Sequence, residues 1–115
     1  MTRSRPDALF IFISPLTTAY RPIIVEFAIK QRLPTMFGVK ADVEAGGLIS
    51  YSANLPDIFR RAAHYVDRIL KGAKAGDLPI EQPTRFELVI NLKTAKALGV
   101  AIPQTLLLQP DRIIE

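Results

Sequence analysis

ALFIFISPLTTAYRPIIVEFAIKQRLPTMFG, residues 8–38, is the stretch whose pattern decides the fold. Residues 8–13 are a continuous apolar run rich in Phe and Ile, the composition of a strand covered on both faces. Ser14-Pro15 ends the run. Thr17 or Thr18 is then placed to cap a helix running to about Arg32, and Leu33-Pro34 stops that helix before a second short strand at 35–37, closed by Gly38. A strand, a helix and a second strand joined by short punctuation predict an α/β fold on a parallel sheet flanked by helices.

The same alternation continues outward. Residues 42–45 are long enough only for a short helix, Gly46-Gly47 ends it, and residues 48–52 supply a third strand. Asn54 caps the clearest helix in the chain, with Leu55, Ile58, Phe59, Ala62, Val66, Ile69 and Leu70 at three- and four-residue spacing and Gly72 just past its end. These apolar residues are expected to be buried. Arg60, Arg61, His64, Asp67, Arg68 and Lys71 fall on the opposite side, so the single histidine reads as a surface residue rather than a catalytic base. Residues 73–84 hold Gly76, Pro79 and Pro83 and read as an extended connector. Residues 86–90 alternate as a strand, and Asn91 caps a short helix ending at Gly99. The tail is apolar at Leu106, Leu107, Leu108, Ile113 and Ile114, but Pro103 and Pro110 interrupt it, so it is expected to drape over a core. Residues 6–52 thus group as strand–helix repeats. Residues 53–115 group as a crossing helix, a connector and a terminal strand–helix pair.

Bulk properties narrow the function classes. The chain has 115 residues, 49% hydrophobic, within the globular range. Its net charge of +4 comes from basic residues scattered along the chain, a weak basis for nucleic-acid binding. With no cysteine there is no disulfide, thiol catalysis or cysteine metal site. No stretch approaches the roughly 18 to 20 apolar residues that cross a bilayer. The opening Met-Thr-Arg-Ser-Arg-Pro lacks the apolar core and cleavage site of a signal peptide, so an exported parent would carry its signal elsewhere.

Catalytic fingerprints are lacking. No G-x-G-x-x-G, Walker loop or G-x-S-x-G elbow occurs, and Gly46-Gly47 is not followed by the Lys and Ser or Thr of a phosphate cradle. One histidine and no cysteine leave a zinc site without its usual ligands, so neither metal nor cofactor is expected. Asp42 and Glu44 lie two apart, so on a helix their carboxylates diverge by about 200° and do not act as a pair. Asp42 reads as a first-turn acid facing the helix dipole. Glu44, lying between two strand ends, is a candidate ligand contact.

Three stretches carry a family resemblance: Val43-Glu-Ala-Gly-Gly-Leu-Ile-Ser-Tyr51; Arg60-Arg-Ala-Ala with Tyr65-Val-Asp-Arg-Ile-Leu-Lys-Gly-Ala-Lys74; and Asp77-Leu-Pro-Ile-Glu-Gln-Pro-Thr-Arg-Phe-Glu-Leu-Val-Ile-Asn-Leu-Lys-Thr-Ala-Lys-Ala-Leu-Gly99. In order and nearly without gaps, they resemble the C-terminal region of ABC-type solute-binding proteins that include tryptophan and tyrosine binders. The resemblance runs from about Arg5 to Glu115 and departs from the family pattern at Ser52-Ala53, where relatives have Gly followed by Pro or another residue. It implies part of a type I periplasmic-binding-protein fold, in which two α/β lobes joined by hinge strands close around a solute. It also implies a parent that hands this solute to an ABC permease from an extracytoplasmic position. No catalytic residue comes with it.

Ligands of open parallel sheets bind beyond the carboxyl ends of the strands. Those ends here offer the Ser14 and Thr17 hydroxyls for a carboxylate, and Phe37 and Tyr51 as flat faces for an apolar or aromatic solute. The plainer readings are helix caps for the first two and core aromatics for the others. Three functions follow in order: a solute-binding module for a small molecule such as an amino acid, a truncated regulatory or interaction domain without ligand, and a flavodoxin-like enzyme, for which no cofactor fingerprint exists. The helix after Thr18 carries two apolar stripes. Tyr20, Ile23, Ile24, Phe27 and Ala28 are expected against the sheet, while Pro22, Val25 and Ile29 are left on the opposite face. Two apolar faces predict a homodimer, with exchange of the C-terminal strand and helix between chains as one route to it.

Overall fold

The computed structural model describes residues 6–83 and 85–115 and divides into two compact units. One runs to Ser52 and resumes at Glu87; the other is Ala53–Phe86. The terminal strand–helix pair therefore belongs with the first unit, whereas the sequence reading grouped it with the crossing helix.

The first unit is built on β1 (Leu9–Ile11), α1 (Pro15–Ala19), α2 (Arg21–Lys30), β2 (Thr35–Phe37), α3 (Lys40–Glu44) and β3 (Ile49–Ala53). It is completed by β4 (Phe86–Asn91), α5 (Leu92–Leu98), α6 (Gln104–Leu107) and β5 (Arg112–Ile114). The sheet order is β1-β2-β3-β4-β5, and β1–β2, β2–β3 and β4–β5 run parallel. Asn91 N donates to Leu48 O at 2.8 Å, so the last residue of β4 lies beside the residue preceding β3, as in an antiparallel pair. The fold is α/β with a mostly parallel sheet, as the residue pattern predicts. β5 was not foreseen: the tail adds a strand to the sheet instead of merely draping over it.

The single helix expected from Thr17 or Thr18 to Arg32 is two. Ser14, rather than either threonine, caps α1, and the chain breaks at Tyr20 before α2 starts. Pro22 has no N–H to bond Thr18 O, and its ring crowds that carbonyl, so a continuous helix is disfavoured there. The apolar stripes are also redistributed. Val25 and Ala28 are buried, whereas Tyr20 and Ile23 are exposed. Val25 is not left on an uncovered face: a side chain at Gly46 would meet its Cγ1 at 2.8 Å. The α2 end is tightened by Leu33 N donating to Ala28 O at 2.8 Å, with Arg32 in the left-handed region.

The core of this unit holds Val25, Ala28, Phe37, Val43, Val89 and Ile90, with a cluster of Leu48, Ala95 and Leu98 beneath α5. Burial at about 25 cal/mol per Å² of apolar surface is what favours this arrangement over the extended chain.

The second unit is α4 (Leu55–Leu70), a short 3₁₀ turn (Ala75–Asp77) and the connector that returns toward β4. The Asn54 side chain accepts from Asp57 N at 3.0 Å, and Gly72 follows the last turn, as predicted. The expected burial does not hold. Phe59 is 71% and Leu70 81% exposed, and Val66 and Ile69 are exposed with them. Spacing identifies an apolar face, but it does not supply the surface that covers it, and Phe59, Val66, Ile69 and Leu70 stay in solvent.

Candidate functional site

The carboxyl ends of β1 and β2 meet in the first unit. A side chain built at Gly38 would rest 3.6 Å from Ile13 N, which puts the turn after β2 against the turn after β1. That leads directly into α1. Ser14 Oγ accepts from Thr17 N at 3.1 Å, and Ser14 N donates to Thr17 Oγ1 at 3.0 Å, a reciprocal capping box. The Thr17 hydroxyl donates to Phe12 O at 2.9 Å. Both expected hydroxyls therefore sit together beyond the strand ends, partly exposed, with their orientation fixed by each other.

The other expected residues do not join this hydrogen-bonded pair. Phe37 is only 1% exposed. Its ring packs against Gly47, where a side chain would lie 2.4 Å from Cε2. It supports the site from inside the core instead of presenting a face. Glu44 closes α3 on the side from which β3 starts, and its Oε1 accepts from Arg112 at 2.6 Å. Tyr51, midway along β3, is 55% exposed.

Sequence reading missed the bonds that hold these elements in register. Arg21, at the start of α2, forms an ion pair with the nearly buried Asp42 in the first turn of α3, tying together the helices that follow β1 and β2. Asn91 does more than cap α5: its Oδ1 accepts from Thr94 N at 3.0 Å while its Nδ2 donates to Val43 O at 3.1 Å. Thr94 Oγ1 adds a bond to Gly46 O at 2.9 Å. The cap was legible in the sequence, but a partner 48 positions away carries no local signal. Ser50 is fully buried, and its hydroxyl has no partner among the described residues.

The second unit carries its own polar set. Arg61 reaches Glu81 at 3.2 Å and Asp57 at 3.5 Å, and the Tyr65 hydroxyl donates to Pro79 O at 2.6 Å. Desolvation, and then the hydrogen bond and charge of Glu81, push the Tyr65 phenol above its ordinary range. Among the described residues no three His, Asp or Glu side chains gather as metal ligands, and no helix is long and apolar enough to cross a membrane.

Residues 2–114 match the model of a family described as ABC transporter substrate binding protein. The chain is 25% identical over 94 residues to a tyrosine-binding protein of Clostridioides difficile (strain R20291), an alignment covering 82% of this chain and 27% of that one. A Streptococcus pneumonia structure, described as an ABC domain in complex with L-Trp, superposes with a TM-score of 0.88 at 29% identity, over 98% of this chain and 38% of that one. A conserved domain protein from Vibrio cholerae superposes at 0.87 and 25% identity, over 93% and 36%. The chain thus spans well under half the length of these relatives.

Proposed function

Since the chain belongs to the ABC transporter substrate-binding protein family, we propose that it supplies part of a binding surface for a small solute carrying a carboxylate, an amino acid in the first instance. The observation that carries this reading is the paired Ser14 and Thr17 at the adjoining ends of β1 and β2, where open parallel sheets bind ligands. The two relatives described by a tyrosine and an L-Trp ligand support the class of solute. In this reading Ser14 and Thr17 meet the carboxylate and Tyr51 flanks the solute body. Phe37 stiffens the floor from beneath, and Glu44 acts through its pair with Arg112.

The parent protein is proposed to be of the type I two-lobe class, to work outside the cytoplasm and to deliver its solute to an ABC permease without catalysing a reaction. The chain alone is proposed to form a homodimer. Its basis is not Val25 but the apolar side chains left open on β1, α1 and α4, among them Phe10, Leu16, Phe59 and Leu70.

A thermal-shift screen against the amino acids tests the solute reading. A binder at 100 times its Kd adds about 2.7 kcal/mol of stability. Loss of that shift in Thr17→Val places the solute at the strand ends. Silence across the whole series would overturn the reading in favour of a domain that works by interaction alone.

A further inference from the structure

A cleft of about 170 Å³ opens in the second unit between the first half of α4 and the connector that follows the 3₁₀ turn. Its floor is apolar: Ile58 and Ala62 come from the helix, Pro83 from the connector, and the Tyr65 ring closes one side. The connector is held in place by the Tyr65 bond to Pro79 O and by Arg61 bridging to Glu81, so the cleft does not depend on a loose loop.

The charges around it do not cancel. Asp57 is met by Arg60 and Arg61, both at 3.5 Å, and Glu81 is met by Arg61 at 3.2 Å. Two carboxylates are thereby matched to two guanidiniums, one of which, Arg60, reaches Asp57 from outside the lining of the cleft. Arg85 also lines the cleft and makes no ion pair among the described residues. An uncompensated guanidinium over an apolar floor attracts an anion, and its planar fork matches two carboxylate oxygens better than a single point acceptor. The limited volume and the apolar walls select a short, branched hydrocarbon body.

We propose that this cleft is a second binding site, for a small branched monocarboxylate whose carboxylate is taken by Arg85. It lies wholly within Ala53–Phe86 and does not rest on the solute reading of the strand ends. In the lining Arg61 and Arg85 offset Asp57 and Glu81, and Arg60, paired to Asp57 from outside the lining, adds one positive charge, a balance that favours a monoanion over a zwitterion of the same shape. Affinity should also fall as salt rises, because the cleft is open to solvent.

The test is an NMR titration of the whole chain with isovalerate, its neutral amide and valine, following the Ala62 methyl and the Arg85 side-chain N–H. Isovalerate is expected to shift both signals and to bind more tightly than either of the others. Arg85→Gln should weaken it about tenfold or more, since a charge-assisted pair is lost, and Arg85→Lys should retain an intermediate affinity. Ala62→Leu fills the cleft from an exposed position and should abolish binding with the helical circular dichroism unchanged. Equal binding of the amide, tighter binding of valine, or an Arg85→Gln variant that binds isovalerate normally would overturn the proposal. Failure of the amino-acid screen would leave this titration unaffected, so the two readings fail separately.

Discussion

Gly47 and Phe37 show what a residue's identity conceals in a parallel sheet. An aromatic at a strand end reads the same whether it faces a solute or the core, because both faces of such a strand are apolar. The close approach of Gly47 is what distinguishes the two cases. Gly47→Ala would put Cβ 2.4 Å from the Phe37 ring, which is buried, and 3.0 Å from Asp42 O. The variant is expected to lose about 1–3 kcal/mol, the usual cost of overpacking, in urea denaturation. Wild-type stability would mean that Phe37 is not held where the structure has it. Ser50→Ala has the opposite sign. Its buried hydroxyl has no partner among the described residues, so removing it relieves a desolvation cost of about 1–3 kcal/mol, and the midpoint should rise. A fall would reveal a hydrogen bond made by that hydroxyl. Neither effect was legible in the sequence, where Gly46-Gly47 reads only as a helix stop and Ser50 as one more strand residue.

Among the elements, α4 was the most legible. Asn54 and Gly72 mark its ends by local chemistry, and three- and four-residue spacing marks its apolar face. Burial of that face is a tertiary property, so the spacing could not report it. Phe59→Ala and Leu70→Ala, for which spacing alone predicts losses of roughly 2 to 5 kcal/mol, should instead change the stability of the monomeric chain by less than about 0.5 kcal/mol. Ile90→Ala, fully buried in β4, should cost about 2–5 kcal/mol in the same denaturation series. Similar losses at all three would mean that the α4 face is covered. The α1–α2 break was half legible: Pro22 was visible, but apolar spacing continued across it and outweighed it. Where α4 faces the connector, Tyr65 gives a pH test. Its phenol is raised in the folded state, mainly by desolvation and then by Glu81. The associated stability is complete below the ordinary phenol range and is lost as pH climbs through the folded value. Ultraviolet titration should show a late-ionising phenol that Tyr65→Phe removes, and its persistence in that variant would assign it to another tyrosine.

For the whole molecule, alternation of strand and helix predicted the α/β class, and the change from a strand to a capped helix near Ser52-Ala53 was visible. The return of residues 87–115 to the first unit was not, since it depends on Asn91 meeting Val43 and Leu48 and on β5 pairing with β4. Pro103 and Pro110 masked that last strand, and three residues give too short a period to read. The two units share one consequence. Each leaves large apolar side chains in solvent, on β1 and α1 in one and along α4 in the other, and such patches drive association when they are contiguous. On α4, Leu55, Phe59, Val66, Ile69 and Leu70 recur with a helical period, so two copies can bury these faces against each other without rearranging the first unit. Sedimentation at micromolar concentration is expected to give twice the 12.8 kDa chain mass. The double variant Phe59→Glu/Leu70→Glu places charge on two exposed positions, so it should leave the sheet folded and yield a monomer. Ile29→Glu, on the partly exposed side of α2, should have a smaller effect, because Val25 beside it is already covered within the chain. A wild-type chain that sediments as a monomer would refute the dimer. A dimer that survives the α4 double variant and dissociates with Ile29→Glu would move the interface to α2, while one that resists both and exchanges only on unfolding would point to a swapped C-terminal strand and helix.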